Sequence, residues 1–262
     1  WGKNISFNDF LEYILPYRIG NEPLYSWQKE LYEKYNPMLN NFRSSSEADN
    51  PMLAAQILLD TLKNSNYRYT GLFPQGPHIG LATLQWNTGS CTEFSDGVTY
   101  VLRSVGIPCG IDRALLRGDT NSGHTWNFTL DRNHQTYVVE LPYKTKWRLA
   151  MEYTLPKGKV YRDTYGPNEN ISRKLMNVPH IWATFKDPLF KDVTNEYISI
   201  NRAITISKKE LNTTLRKDVP VYFCLSKRQK WQPVDFTFIE KDTIRFDNVE
   251  GGVVGILATW DG

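Results

Sequence analysis

Apolar residues recur at helical spacing in three segments near the N-terminus of the chain. The pattern predicts two amphipathic helices over residues 7–15 and 24–35, and a third helix, expected to be buried, over residues 52–62. The second helix begins beside Pro23 and is expected to bury one side, made of Leu24, Trp27, Leu31, Tyr32 and Tyr35. A run rich in Ser, Asp and Asn over residues 43–51 predicts a loop before the third helix.

Glycine and proline interrupt residues 69–89 six times, which predicts a long loop without regular structure. A helix is expected to start at Cys91 and to end at Gly106. Alternating apolar residues then predict strands over 111–116, 125–130 and 135–141. A turn at residues 131–133 makes the last two strands antiparallel neighbours.

The C-terminal third changes character. Proline, glycine and polar residues over 156–187 predict a connecting region. Short runs rich in Val, Ile, Tyr and Phe follow at 196–207, 219–225, 232–239, 243–246 and 253–260, which predicts a small all-β sandwich. Trp231, directly before the run 232–239, and Trp260, at the end of the run 253–260, are expected in its core. The chain as a whole is predicted to be α+β.

The composition excludes several classes of protein. The 262 residues carry 31 basic and 28 acidic side chains, a net charge of +3, without the concentrated basic field of a nucleic-acid-binding protein. No apolar stretch approaches the roughly 20 residues of a membrane span. Three cysteines without a Cys-x-x-Cys pair or a zinc-ligand spacing suggest no disulfide scaffold, metal or other cofactor. The chain begins at Trp1, so the sequence leaves the compartment open.

Cys91 is the strongest candidate for chemistry. It follows Gly89 and Ser90 and opens the predicted helix. The positive end of the helix dipole and the unpaired backbone N–H groups favour the thiolate, which is the nucleophilic form. A cysteine nucleophile is therefore expected at this helix start.

A base and a carboxylate follow Cys91 in order. His124 directly precedes the predicted strand 125–130, and Glu140 lies on its antiparallel neighbour, so the two side chains are expected side by side. A nucleophilic thiol needs such a base, and the base needs an acceptor that fixes its tautomer. Asp119 and Asp131 are alternative acids, although both lie in turn-like sequence where Asp bonds locally.

Further residues fall near this group. Gln85 and Trp86 could join the Cys91 backbone N–H in an oxyanion hole or could simply pack in the loop. Trp126 follows His124 closely and is a candidate for substrate binding. The apolar neighbours of Cys109 and Cys224 predict buried, inert thiols.

The order of these motifs resembles the transglutaminase-like superfamily. The matching elements are Cys91, the run Arg103-Ser104-Val105-Gly106-Ile107-Pro108, His124-Thr125-Trp126 and Glu140. The resemblance covers roughly residues 50–145 and implies a papain-like α+β core with amide chemistry through a covalent acyl-enzyme. It divides the chain into a helical extension (1–50), a catalytic core (51–155), a connecting region (156–187) and a β-sandwich domain (188–262).

The chain departs from the family pattern at two positions. Glu140 stands where the family usually has Asp, and Thr92 stands where many members have an aromatic residue.

The expected substrate is a protein or peptide, with hydrolysis favoured over cross-linking. The layout is similar to multidomain transglutaminase-like proteins of Bacteroides-type bacteria, which are generally exported, so an extracytoplasmic location, periplasmic or cell-surface, is expected.

A second hypothesis comes from a different class of function. The chain could be an inactive relative that serves as a scaffold and binds carbohydrate or protein, with a glycan held by the β-sandwich. The 13% content of aromatic residues permits this, since aromatic faces stack on sugars.

Overall fold

The structure, a computed structural model, describes residues 4–70, 80–141, 143–199, 202–211 and 215–259. Its contacts divide the chain into two compact units. Unit 1 comprises Trp1–Asp112 and Thr125–Tyr153, and unit 2 comprises Arg113–His124 and Thr154–Gly262. The predicted division into four parts stays a prediction.

Unit 1 contains six α-helices within its described residues. They are α1 (Phe7–Tyr13), α2 (Gln28–Tyr35), α3 (Asn40–Arg43), α4 (Pro51–Lys63), α5 (Ala82–Trp86) and α6 (Cys91–Ser104). Helix α4 starts where the side chain of Asn50 accepts hydrogen bonds from two backbone N–H groups and Pro51 occupies the first turn. The sequence therefore specifies where this helix begins.

Helix α2 begins four residues later than predicted. The indole Nε1 of Trp27 donates a 2.8 Å hydrogen bond to the backbone oxygen of Tyr17, which fixes the chain just before the helix. Trp27, like Leu31 and Tyr35, is buried, as predicted. Leu24 and Tyr32 were expected on the same side but are exposed, because Leu24 precedes the helix and Tyr32 lies on its outer face.

Unit 1 also contains most of four neighbouring strands, of which only the end residues Arg113, Ala114 and His124 belong to unit 2. In sheet order they are β6 (Lys144–Leu149), β5 (Thr136–Glu140), β4 (His124–Leu130) and β3 (Cys109–Ala114). Strands β4 and β5 pair antiparallel with Asn127 opposite Val139, which confirms the predicted hairpin. Strand β6 was not predicted, because its lysines and arginine hide the alternation of a strand.

The segment 69–89 is more regular than predicted. It contains helix α5 and contributes to a short parallel pair, β1 (Arg68–Tyr69) with β2 (Thr88–Gly89). The breakers do not prevent this, because the chain turns at Gly80 and Asn87, which adopt left-handed backbone conformations at φ values of 57° and 49°. Residues 71–79 of the predicted loop lie outside the described part of the chain.

Asn127 connects three elements of unit 1. This fully buried side chain donates from Nδ2 to the backbone oxygen of Ser95 at 2.8 Å and to the Thr99 hydroxyl at 2.9 Å, both on α6. The backbone oxygen of Gly110 on β3 lies 3.4 Å from the same nitrogen. One amide therefore fixes α6 against two strands.

Unit 2 contains the expected β-sandwich. One sheet has the order β11 (Lys230–Thr237), β10 (Val221–Lys227) and β13 (Gly255–Thr259), and the other pairs β9 (Ile204–Ser207) with β12 (Thr243–Phe246). Alternate residues of β10, among them Phe223, share a core with Phe246 of β12. Two sheets packed on one apolar layer confirm the sandwich.

Several details of unit 2 differ from those predicted. Within the described residues, the predicted strand 196–207 forms only at Ile204–Ser207, after a short 3-10 turn at Thr194–Glu196. The segment expected as a connection carries β7 (Tyr161–Asp163), α7 (Glu169–Leu175) and α8 (Ala183–Lys186), before β8 (Phe190–Asp192). Trp231 was expected in the core but is 47% exposed, because its side chain lies on the sheet face away from Phe223. Trp260 lies outside the described residues.

Two buried lysines hold the start of unit 2's second segment. The ammonium of Lys157 lies 2.6 Å from a carboxylate oxygen of Glu250. The ammonium of Lys159 lies 2.5 Å from Asp192 and 3.2 Å from Asp235, whose burial raises its pKa to about 6. Buried charges persist when they are paired, as both lysines are.

Among the described helices, none is long and apolar enough to cross a membrane.

We expect Asn127→Ala to lower the free energy of unfolding by about 2 kcal/mol, because it removes two buried hydrogen bonds and leaves a small cavity. Urea denaturation followed by tryptophan fluorescence measures the change. Asn133→Ala, in the exposed β4–β5 turn, is the control and should change stability by less than about 0.5 kcal/mol. Equal effects of the two substitutions would contradict the role of Asn127.

Candidate active site

Cys91 is the first residue of α6 and is partly exposed. The helix is capped by Ser90, whose hydroxyl accepts a 3.3 Å hydrogen bond from the backbone N–H of Thr92. The carboxylate of Glu93 accepts a 2.8 Å hydrogen bond from the Ser90 N–H and also bonds the Ser90 hydroxyl. This reciprocal capping box fixes the helix start, and with it the position of the thiol.

Gly89 explains the close approach of the chain before the helix. A Cβ atom at this position would lie 2.4 Å from the Cβ of Glu93, which is shorter than any normal contact. Glycine therefore allows β2 to run directly into the capped turn. The Ser-x-x-Glu spacing of the capping box is itself a sequence signal for a helix start, additional to those from which the Cys91 helix was predicted.

Aromatic contacts bring the end of β5 to the start of α6. Tyr69 of β1 lies opposite Gly89 of β2, and its ring stacks on Phe94 of α6 with a centroid distance of 6.4 Å. The ring of Tyr143, three residues after Glu140, lies 5.6 Å from that of Tyr69. The segments that carry Cys91 and Glu140 therefore meet around these rings.

Glu140 ends β5 and is buried. The hydroxyl of Tyr153 donates a 3.1 Å hydrogen bond to Oε2 of Glu140, and the ammonium of Lys144 lies 3.7 Å from the same oxygen. The Tyr153 ring packs on Trp126 with a centroid distance of 5.0 Å. These groups fix the carboxylate. The sequence carries no signal for Tyr153, which is 13 residues away from Glu140.

His124 is the first residue of β4 and is partly buried. Because β4 and β5 run antiparallel, the beginning of β4 and the end of β5 lie at the same end of the strand pair. Trp126, two residues along β4, is buried against Tyr153.

The other predicted site residues have the following positions. Gln85 and Trp86 end helix α5, and both are exposed. Asp131 accepts hydrogen bonds from two backbone N–H groups of its own turn. Two hydrogen bonds from Arg117 hold the pKa of Asp119 below its usual range. Both aspartates are thus engaged locally, as their sequence context suggested.

The two other cysteines are buried, as predicted. Burial raises the pKa of Cys109 to about 12 and that of Cys224 to about 11. Both thiols therefore stay protonated near neutral pH. Among the described residues, no group of three or more His, Cys, Asp and Glu side chains could hold a metal ion.

Unit 2 has a cavity of its own, with a volume of about 310 Å³. It lies over the outer face of the β11-β10-β13 sheet, and its walls are mainly apolar. The lining residues are Trp182, Tyr222, Cys224, Trp231, Pro233, Ala258 and Thr259.

Comparisons with known proteins agree with the resemblance. Residues 41–142 match the model of the transglutaminase-like superfamily, which confirms the segment that the motifs indicated. No curated protein matches the chain.

Two solved structures are similar at low sequence identity. The periplasmic domain of TgpA from Pseudomonas aeruginosa, bound to ethylmercury, matches with a TM-score of 0.34 and 15% identity, over 45% of this chain and 45% of that chain. A proposed cysteine protease from Cytophaga hutchinsonii matches with a TM-score of 0.35 and 15% identity, over 51% of this chain and 40% of that chain. This chain therefore spans less than half of either structure.

The family match contains Cys91, His124 and Glu140, together with the helix and strands that carry them. The similarity to the transglutaminase-like superfamily therefore covers residues 41–142 of the 262-residue chain.

Proposed function

We propose that this protein is a cysteine enzyme that hydrolyses amide bonds of proteins or peptides, with Cys91, His124 and Glu140 as its catalytic triad. The observation that carries the proposal is the position of Cys91, which is partly exposed at the start of a capped 14-residue helix inside the matched segment. A helix N-terminus favours the thiolate.

The reaction proceeds in two steps. The Cys91 thiolate attacks the carbonyl carbon of the amide, the C–N bond breaks, and the His124 imidazolium gives its proton to the leaving nitrogen. His124 then takes a proton from water as the water attacks the thioester, and cleavage of the C–S bond releases the acid and regenerates the Cys91 thiolate beside the His124 imidazolium. The backbone N–H of Cys91 stabilises the oxyanion, with Gln85 or Trp86 as the second donor.

Strand geometry supports the pairing of base and acid. If the β4–β5 register continues one step beyond Asn127 and Val139, Trp126 lies opposite Glu140. His124, two residues before Trp126, then points to the same face of the sheet as Trp126 and Glu140. Helix α6 packs on the other face, where Asn127 bonds it. The proposal requires the Cys91 thiol to meet His124 where β4 begins.

Hydrolysis is placed ahead of cross-linking for a physical reason. Cross-linking requires a site that admits an amine and excludes water from the thioester, whereas hydrolysis requires neither. The resemblance to exported multidomain relatives also supports an extracytoplasmic location, periplasmic or cell-surface. Hydrolysis and the extracytoplasmic location are therefore both proposed.

We expect Cys91 to react with iodoacetamide well below pH 8.5, the approximate pKa of a free thiol. His124→Ala should move the reaction toward that pH, because the imidazolium no longer stabilises the thiolate. Rates measured from pH 5 to 10 by peptide mass spectrometry test this. Cys109 and Cys224, with pKa values of about 12 and about 11, serve as controls that should stay unmodified at pH 7.

Cys91→Ala should abolish hydrolysis of peptide substrates while circular dichroism stays unchanged. Turnover in this variant would exclude the covalent mechanism.

If wild-type Cys91 were instead alkylated only near pH 8.5, like a free thiol, the inactive scaffold would be favoured.

Tyr153→Phe should lower the alkylation rate of Cys91 about tenfold at pH 6–7. The variant removes the hydrogen bond that fixes Glu140, and a bond to a charged group contributes on the order of 1.5–3 kcal/mol. At pH 10, where the thiol is ionised in any case, the rate should be unchanged.

Tyr161→Phe is the matched control. It also removes a buried tyrosine hydroxyl, which donates to the Val234 backbone oxygen at 2.8 Å in unit 2. It should lower stability but leave the pH profile of Cys91 alkylation unaltered. If both variants change the profile equally, Tyr153 has no specific role in positioning Glu140.

A second function, glycan binding, is favoured by the cavity of unit 2. The exposed Trp231 offers an aromatic face for a sugar ring beside Pro233, and the hydroxyl of Thr259 lines the same cavity. This glycan site would be compatible with either an active or an inactive core.

The glycan proposal predicts that the protein binds particular sugars on a glycan array and that Trp231→Ala removes the signal. Trp86→Ala, which removes another exposed tryptophan, should leave binding intact. An array without signal for the wild type would contradict the proposal, as would unchanged binding by the Trp231 variant.

A further inference from the structure

Two tyrosines beside Cys91 keep much of their surface exposed. Tyr69 is 46% exposed and Tyr143 is 63% exposed, although their rings touch at a centroid distance of 5.6 Å. They come from β1 and from the segment between β5 and β6, so residues distant in sequence form one aromatic surface. We call this pair the tyrosine rim.

The rim is held close to the nucleophile by backbone and ring contacts. Tyr69 lies opposite Gly89, two residues before Cys91, and the N–H of Thr70 donates to the Gly89 oxygen at 2.8 Å. The Tyr69 ring also stacks on Phe94, three residues after Cys91. The helix start that carries the thiol is therefore bracketed by contacts to Tyr69.

Electrostatics agree with this placement. Partial burial raises the pKa of Tyr69, and the charges of Cys91, Tyr143 and Glu93 raise it further. The charge of the Cys91 thiolate therefore affects the pKa of the Tyr69 hydroxyl.

We propose that the tyrosine rim is a specificity subsite that receives an aromatic or large apolar side chain on the acyl side of the amide attacked by Cys91. This inference rests on the proposed function of Cys91 and adds the class of substrate to it. The rim defines preference and takes no part in bond breaking.

The chemistry of the rim favours such a side chain over a charged one. A tyrosine presents an apolar ring face, and aromatic pairs attract one another beyond the burial of their area. The nearby carboxylate of Glu93 is occupied by both groups of Ser90, and the ammonium of Lys144 lies 3.7 Å from Glu140. The neighbouring charges thus already have partners within the protein.

The test compares two chloromethyl ketones, one of acetyl-phenylalanine and one of acetyl-alanine. Each alkylates the thiolate with loss of chloride and presents its side chain beside the carbonyl. We expect the phenylalanine probe to react with Cys91 at least about tenfold faster, after division by the ratio that glutathione gives in solution. In Tyr69→Ala and Tyr143→Ala, the corrected ratio should fall toward one.

Two further variants separate recognition from folding. Tyr69→Phe keeps the ring and should keep the preference. Tyr32→Ala removes an exposed tyrosine of α2 and should also keep it. Circular dichroism and the iodoacetamide rate of each variant show whether the fold and the nucleophile are intact.

The outcomes distinguish this inference from the proposed function. A corrected ratio near one in the wild type, or one unchanged in both alanine variants, would overturn the tyrosine rim as a subsite. Slow iodoacetamide reaction at pH 6–7 would overturn the activated thiolate. If the phenylalanine preference persisted together with that slow reaction, the rim would stand and the proposed catalysis would not.

Discussion

The candidate site depends on the way α6 is held against the sheet of unit 1. A thiol at a helix start is useful only if that start is fixed relative to a base. Asn127 supplies the connection, because its amide bonds Ser95 and Thr99, one and two turns along α6 from Cys91. The same residue lies on β4, three positions after His124. A single buried amide thus relates the helix of the nucleophile to the strand of the proposed base.

Unit 2 is stabilised by a different kind of buried polar contact. Lys157 and Lys159 precede β7 and pair with carboxylates from later parts of the chain. A paired buried charge contributes little net stability, but removal of one partner is strongly unfavourable, so such pairs select one arrangement. Lys159 in particular requires Asp192 of β8 and Asp235 of β11 near one another. The segment that carries Lys157 and Lys159 is therefore held by ion pairs as well as by apolar burial.

Much of the architecture could be predicted from the sequence, because local patterns specify local structure. The periodicity indicated α4 and α6, the turn beginning at Asp131 indicated the β4–β5 hairpin, and β12 has the predicted bounds. Strand β6 was missed because its contacts with β5 compensate for a polar sequence. The exposure of Trp231 was missed because apolar composition does not show which face of an edge strand is covered.

For the candidate site too, features that depend on local sequence could be predicted, and features that depend on contacts between distant segments could not. The position of Cys91 at a helix start could be predicted because helix starts have local signals, and the capping box of Ser90 and Glu93 was available as a further one. Tyr69, Tyr143 and Tyr153 could not be predicted, since each contributes through contacts between distant segments. Parallel pairing of β1 with β2 positions Tyr69 beside the helix start, and no local pattern encodes that pairing.

Activation of Cys91 in the proposed mechanism cannot come from the helix alone. A helix terminus contributes typically about 0.3–1 kcal/mol, which is less than one unit of pKa at about 1.4 kcal/mol per unit. The Glu93 carboxylate lies in the same first turn, where its negative charge opposes a thiolate. A cation is therefore required to hold the thiolate near neutral pH, and in this proposal His124 supplies it. The nucleophile thus depends on the end of β4, and the Asn127 anchor becomes part of the chemistry as well as of the fold.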